Sequence, residues 1–596
     1  MVYCRRVDTV TLDVTVACGN KERMENTRRE ESAKHRAADA IVETLVAAGV
    51  RTYYGMPGGA ISPIYSALGR RDDVRVIHAR HETGAVFMAI GQARSGGGPA
   101  CVLVTSGPGA TNALTGLAAA KADGVPVIAI AGEVARKYYG RGALQEGSRY
   151  EIDVLGLGQR VCKFAAEICM GTNAVSLTRR ALSAAMEGRA GPSLLVLPLD
   201  VAEQPSPKGT FGVALPHEPE PEPESLDAAA RELAGAERPL LLLGSGARHP
   251  VTAAAVQRLV ERTGIPVVTS PKGKGIFPES SPACLGVFGY GGHRSATEYL
   301  ERRPDVVLAV GCGLNDVSTN NWDPALQASS CFIQIEIDPA RIGRNYRVDI
   351  AFEGAAERVL PALVERVPRV PAPRRWGGVV RELAPPKAGP GLHPASVIEC
   401  LQNAAPPNTI FATDIGEHTL FAVNGLRTEH LDGFLFGSGL GSMGSGIGAA
   451  VGARVAHPSR PVVAVCGDFG FQMYGMELAT CVHYRIGVVF VVFNDARMRM
   501  VEVGMSRLYQ DTVPMIGPPI DFAAMARAIG ARGARVHTMD ELASAARDLC
   551  SSGDDGPAVI DVAIDPTAFF PNNARNRALS NFPHDHAEPS RSAVSG

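Results

Sequence analysis

The sequence predicts an α/β protein made of three doubly wound parallel sheets, and three observations carry that reading. Short runs such as ACVLVTS (100–106), VPVIAIAGE (125–133) and VVFVVF (488–493) are apolar throughout, as strands buried on both faces must be. They alternate with segments of helical spacing through glycine-rich turns, the pattern of right-handed βαβ crossovers. Two breaker-rich stretches, PHEPEPEPES (216–225) and the run from Val367 to Pro394, divide the 596 residues into three units of similar size.

The first unit, residues 36–205, opens with a helix over Ala37–Ala48 and a short strand at Thr52–Tyr54 that ends in GMPGGA. A strand at Val74–His78 feeds a helix at His81–Arg94. Strands at Ala100–Ser106, Val125–Glu133 and Ser193–Val201 complete the unit. The middle unit, residues 222–368, has strands at Pro239–Leu243, Pro266–Thr269, Val306–Val310 and Cys331–Ile337. The third, residues 392–570, has strands at Thr409–Ala412, Val462–Cys466, Val488–Phe493 and Ala558–Val562. Residues 1–35, dense in charge toward their end, read as a flexible arm, and residues 571–596 as a polar tail.

Composition narrows the class. The 59 basic residues nearly cancel the 61 acidic ones, so the chain carries no excess charge for nucleic acid or an anionic membrane. No apolar run reaches the roughly 18 residues a membrane span needs. The 12 cysteines are scattered singly, without a C-x-x-C pair, and read as buried thiols of a cytoplasmic protein.

The chemistry concentrates where the strand Val462–Cys466 runs into Gly467-Asp468-Phe469-Gly470. Parallel strands end at the carboxyl edge of their sheet, where α/β proteins place ligands. Glycine lets the backbone approach a phosphate. A helix expected from about Phe471 would offer N–H groups and a positive dipole end to an anion. Asp468 would be repelled by that anion unless a cation lay between them. A helix over Gln472–Tyr484 and the returning strand bring Asn494-Asp495 to the same edge. Two carboxylates with phosphate oxygens suit Mg2+. Taken alone, Glu82 is an acid favoured in the first turn of its helix.

These segments resemble thiamine-diphosphate enzymes of the acetolactate synthase type. GDFGFQMYGMELAT followed by FVVFNDARMRMVE is similar to their diphosphate and metal fingerprint. YGMPGGAISPIYSAL (54–68), RHETGA and TSGPGATNALTGL (105–117) are similar to their pyrimidine-binding domain. The resemblance covers about residues 37–565 and implies a pyrimidine-binding, a central Rossmann-like and a diphosphate-binding domain. It implies metal ligation by Asp468, Asp495 and the carbonyl of Arg497, with Gly467, Phe469, Gly470 and Met498 around the cofactor. Glu82 is then the catalytic acid that bonds the aminopyrimidine ring, beside Pro57 and Gly58, and Gln145 orients substrate. Glu417 and His418 stand where the family has a Gln-His pair touching the diphosphate. Gly441 and Met443 would hold the aminopyrimidine, with the Met443 side chain bending the cofactor so that it can react.

The reaction so implied is decarboxylation of a 2-oxo acid, pyruvate foremost, and carboligation of the fragment to an acceptor carbonyl. The implied cofactors are thiamine diphosphate and Mg2+. FAD is left open in the middle unit but is not favoured, because VGCGLNDVSTNNWDP (310–324) lacks the arginine-bearing pattern of FAD-binding members. The implied assembly is a homodimer or homotetramer whose sites lie between the first unit of one chain and the third of another. Four residues depart from the family: Phe469 for glycine, Asp495 for asparagine, Arg499 among neutral residues, and Gly504 where a tryptophan shapes acceptor choice. These departures keep a 2-oxo acid decarboxylase or an FAD-dependent oxidase open as alternatives, and a catalytically silent binding subunit as the remotest one.

Overall fold

The computed structural model describes residues 35–207, 220–370, 376–381, 389–509, 513–550 and 556–571. The expectations for the N-terminal arm, the C-terminal tail and much of the first linker lie outside these residues. The end of the proline-rich linker belongs to the helix Pro223–Gly235, with a proline at its start, where the missing N–H costs nothing.

Each unit is built on a six-stranded sheet in which every neighbouring pair is parallel. The first comprises Thr52–Gly55 (β1), Arg75–His78 (β2), Ala100–Val104 (β3), Val127–Glu133 (β4), Phe164–Glu167 (β5) and Pro192–Pro198 (β6). The second comprises Leu240–Leu243 (β7), Val267–Thr269 (β8), Cys284–Val287 (β9), Val306–Val310 (β10), Cys331–Glu336 (β11) and Ile350–Glu353 (β12). The third comprises Ile410–Thr413 (β13), Phe434–Phe436 (β14), Val462–Gly467 (β15), Val488–Asn494 (β16), Arg532–Val536 (β17) and Ala558–Ala563 (β18).

The outer sheets share one topology, β2-β1-β3-β4-β6-β5 and β14-β13-β15-β16-β18-β17. The middle sheet runs β12-β11-β10-β7-β8-β9, which is the dinucleotide-fold order. The three-sheet α/β architecture is therefore as the sequence predicts, but β5, β9, β12, β14 and β17 were not foreseen. All five are edge strands. Phe164–Glu167 is half-exposed along its length, Phe434–Phe436 has three residues, and Cys284–Val287 is interrupted by a register shift. None offers the long apolar run that marks a central strand.

The outer units are locked together by two helices, Glu82–Arg94 and Ser445–Ala456. Residues 82–92 are buried without a break, so this helix lies between two sheets rather than on the surface of one. Glycines set the separation. A Cβ at Gly452 would lie 1.8 Å from the Met88 carbonyl oxygen, and one at Gly91 would lie 2.0 Å from that of Ala449. The middle unit joins through Asp123, whose buried carboxylate accepts Lys272 Nζ at 3.1 Å and the Gly439 N–H at 2.9 Å, with Arg94 at 3.5 Å. One side chain thus touches all three units.

Apart from Cys169 and Cys400 the described cysteines are buried, and all are free, filling the core as small apolar groups. No helix among the described residues is long and apolar enough to cross a membrane.

Gly452→Ala should destabilise the protein by about 1–3 kcal/mol, because the methyl group meets backbone that cannot rotate away. Gly235→Ala, where a Cβ meets nothing within 4 Å, should stay within about 0.5 kcal/mol of the parent. Unfolding midpoints of the two variants in denaturant check the difference.

Candidate functional site

The carboxyl edge of the third sheet opens into a cleft that is continuous with solvent. β15 delivers Gly467 and Asp468 to it, and β16 delivers Asp495, because these strands pair in parallel with Gly467 opposite Phe493. The sequence placed a helix start near Phe471 and one helix through Tyr484. The structure instead has a helix at Asp468–Tyr474 and a second at Glu477–Tyr484, parted at Gly475 and Met476. Asp468 therefore sits in a helical first turn, where its Oδ1 accepts the Phe469 N–H at 2.7 Å.

The electrostatics of this pair are unusual. Burial, and then the neighbouring Asp495, push the Asp468 carboxyl up to about 7, while burial raises Asp495 to about 6. Asp468 Oδ2 is buried without a hydrogen-bond partner. A buried oxygen left so costs about 1–3 kcal/mol unless something met on binding satisfies it. Asp495 Oδ1 accepts the Arg497 N–H at 3.1 Å across a turn in which Ala496 takes φ +54°, a left-handed conformation that side chains avoid.

The loops opposite are held by Asp414, at the end of β13. Its buried carboxylate accepts the N–H groups of Gly444 at 2.8 Å and Gly446 at 3.1 Å. Burial pushes this carboxyl up to about 6. Gly441 and Met443, just before those N–H groups, line the cleft. Glu417 and His418 begin the helix Glu417–Gly425 and line it as well. Glu417 Oε1 accepts the Phe570 N–H at 2.8 Å, tying this helix to the chain's last described residues. Burial pushes the His418 imidazole down to about 4, so the ring is neutral near pH 7, and its Nε2 has no hydrogen-bond partner.

Phe469, Gly470, Arg497, Met498 and Arg499 also line the cleft. A Cβ on Gly517 would lie 2.8 Å from the Phe469 ring, so that side chain packs against the 513–517 segment. Arg497 bonds Glu502 at 2.6 Å and Arg499 approaches the same carboxylate at 3.6 Å. Gly504 lies buried in the helix Arg499–Leu508 and is not among the lining residues.

A second cluster forms at the carboxyl edge of the first sheet. Glu82 is buried, its Oε2 accepts Asn112 Nδ2 at 3.0 Å, and a Cβ on Gly109 would sit 3.4 Å from its Oε1. Gly58, which follows the exposed Pro57, packs on Thr105, where a Cβ would lie 2.5 Å away. Gln145 takes φ +63° and packs against Gly107, itself at φ +58°. Asn112, Thr105 and Asp414 were missed as site residues. The first two sit inside TSGPGATNALTGL, and Asp414 heads DIGEHTLF.

Every residue lining the cleft lies between Pro394 and Ala568. Within one chain the structure gathers Glu82, Pro57, Gly58 and Gln145 on one sheet edge and the remaining candidates on another. It does not bring the two groups into one cavity.

Comparison with known proteins decides the family. Residues 35–152 match the N-terminal TPP binding domain of thiamine pyrophosphate enzymes, 226–363 the central domain, and 414–562 the C-terminal TPP binding domain. The chain is 34% identical to a probable acetolactate synthase large subunit of Methanocaldococcus jannaschii, over 90% of this chain and 93% of that one. The chain belongs to the thiamine-diphosphate enzymes of the acetolactate synthase large-subunit family. It is also 32% identical to an acetolactate synthase of Mycobacterium bovis, over 88% of each chain. With the acetolactate synthase isozyme 2 large subunit of Escherichia coli the identity is 31%, over 89% of this chain and 95% of that one.

For this family member, Asp414→Ala removes the acceptor of two buried N–H groups and should cost about 3 kcal/mol of stability. It should also weaken thiamine diphosphate binding, since Gly441 and Met443 lose their anchor. Asp414→Asn, which keeps one acceptor, should fall between. Thermal melts and calorimetric titration with the cofactor check both.

Proposed function

We propose that this chain binds thiamine diphosphate with Mg2+, decarboxylates a 2-oxo acid, pyruvate foremost, and joins the fragment to an acceptor carbonyl. The observation that carries the reading is the buried Asp468 oxygen without a partner, set beside Asp495 in the cleft. A buried carboxylate and a partly buried one lining the same cleft favour a divalent cation and an anionic ligand there. Among the described residues no group of three His, Cys, Asp or Glu side chains forms a metal cage. The family resemblance implies an ion on Asp468, Asp495 and the Arg497 carbonyl, residues that line the cleft, together with oxygens of the diphosphate.

Bound thiamine diphosphate supplies the electron sink for loss of CO2. The chain's own residues supply position and protons. Gly467, Gly470 and the helix beginning at Glu417 offer close backbone approach to the diphosphate, with the neutral His418 ring adding no charge. Gly441 and Met443 hold the aminopyrimidine, and Glu82, fixed by Asn112, exchanges a proton with its ring. Gln145 orients substrate. Arg499 contributes a positive charge to the cleft for the substrate carboxylate.

The assembly proposed is a homodimer or a larger even oligomer, with each site formed by Glu82 of one chain and the metal cleft of another. The separation of the two residue groups within one chain supports it. No observation favours FAD. A carboligase, a decarboxylase and an oxidase differ in product, which makes the test direct.

Incubation with thiamine diphosphate, Mg2+ and a panel of 2-oxo acids, followed by mass analysis, should yield CO2 and a carboligation product such as acetolactate from pyruvate. Acetaldehyde alone, or acetate, would overturn the carboligase reading. Mixing two inactive variants tests the assembly. Glu82→Gln and Asp468→Ala, co-expressed with separate tags, should give mixed dimers that recover about half of wild-type activity, since one composite site keeps both residues intact. No recovery in isolated mixed dimers means that each site is built within one chain.

A further inference from the structure

Glu477, the first residue of the helix that follows the metal loop, is 1% exposed and is unused by the mechanism above. Its carboxylate reaches out of the third unit and grips the first. Oε1 accepts the backbone N–H groups of Arg80 at 3.0 Å and His81 at 3.1 Å, and Oε2 accepts Thr480 Oγ1 at 2.8 Å. The hydroxyl of Thr480 reaches the His78 carbonyl at 3.2 Å, and Tyr484 accepts the His78 N–H at 3.0 Å. A Cβ on Gly84 would lie 2.3 Å from Glu477 Oε1, so nothing larger than glycine lets the carboxylate in.

The turn held in this way, residues 78–81, leads directly into Glu82. A second contact runs in parallel. Tyr474, the last residue of the helix that begins at Asp468, packs edge-on against the His81 ring at 5.6 Å, and His81 caps the helix that Glu82 begins. Tyr474 also lies against Gly444, next to Met443 in the cofactor clamp. Burial pushes the Glu477 carboxyl up to about 7, and when ionised it holds the two consecutive N–H groups more firmly than a neutral acceptor would.

We infer that Glu477 is a positioning residue for Glu82, and that through it the metal-bearing segment of a chain sets the glutamate that the same chain lends to its partner's site. The second half rests on the composite-site reading given above. Each chain then links two active sites rigidly, the one that uses its Asp468 and the one that uses its Glu82. A misplacement of about 1 Å at a proton-transferring group costs roughly 100-fold in rate, so this grip bears on catalysis without touching cofactor or substrate.

The test uses full-length protein with Mg2+, reading exchange of the cofactor's reactive C2 proton by quenched NMR and cofactor affinity by calorimetry. Glu477→Ala should slow exchange about 10- to 100-fold while thiamine diphosphate affinity stays within about threefold. Glu477→Gln, which keeps the volume and one acceptor oxygen, should slow it less. Wild-type exchange in Glu477→Ala, or affinity lost in step with exchange, overturns the inference. If Glu477→Ala does not fold, wild-type exchange in Glu477→Gln does so instead. Glu82→Gln is the control: unchanged exchange there refutes the role of Glu82 itself.

Mixed dimers then separate the two readings. With Glu477→Ala and Asp468→Ala in the same chain, the surviving cleft borrows the misplaced glutamate, and activity should fall well below half of wild type. With the two substitutions in different chains, the surviving site is intact and activity should stay near half. The reverse pattern, where the Glu82→Gln and Asp468→Ala mixed dimer recovers activity, would mean that Glu477 acts on its own chain's cleft, which overturns the inference. Without that recovery it would mean that each site lies within one chain, which overturns the composite site and spares the positioning role. Equal loss in both arrangements would mean that Glu477 acts on both sites through the fold as a whole, which overturns the inference.

Discussion

The structure depends on a contact from which side chains have been removed. The helices Glu82–Arg94 and Ser445–Ala456 approach so closely that Gly91, Gly448 and Gly452 leave no room for a methyl group. That closeness fixes the first sheet against the third, and with it the place of Glu82 relative to Asp468 on one chain. Burial of apolar surface on both sides makes the contact favourable, but burial alone does not set a distance. Backbone meeting backbone does, because peptide groups cannot rotate out of the way.

The cleft rests on a different balance. Asp414, Asp468 and Asp495 are all drawn out of water, and burial raises the carboxyl of each. Asp414 is compensated internally by the N–H groups of the loop that carries Met443. Asp468 is compensated less fully: backbone N–H groups of Phe469, Asp495 and Ala496 lie close to its carboxyl, but Oδ2 makes no hydrogen bond of good geometry. One carboxylate therefore serves as scaffold and the other is kept ready for a ligand. Proteins tolerate such uncompensated burial at sites where a ligand later offsets the cost.

The departures from the family pattern acquire physical content here. Phe469 is accommodated by Gly517, where a Cβ would meet its ring at 2.8 Å, so the ring packs on that residue beside Asp468. Asp495 adds a second carboxylate where an amide is usual, and Arg497 and Arg499 share Glu502 nearby. Neither tryptophan reaches the cleft: Trp322 lies half-exposed in the middle unit, and Trp376 donates to the Gly264 carbonyl at 2.7 Å. The cleft is lined instead by methionine, arginine and phenylalanine side chains among others.

The sequence by itself determined the three parallel sheets and their central strands, because a strand buried on both faces must be apolar along its whole length. It pointed to Gly467–Gly470 and Asp495, which line the third unit's cleft, for a related reason: they are short motifs at the ends of such strands. It did not reveal the edge strands, which are short or half-exposed and leave little periodic signal. It also missed Asp414, Asn112 and Glu477, although all three lie inside stretches that were singled out. A lone Asp, Asn or Glu carries no mark of its partner, and those partners stand 30 or more residues away: Gly444 for Asp414, Glu82 for Asn112 and Arg80 for Glu477. The resemblance already put Glu82 and this cleft on different chains; the tertiary structure adds that within one chain Glu82 heads a helix of the first unit while the cleft is lined wholly by the third. That separation follows from how two sheets pack, and packing between distant segments is not written in the spacing of either.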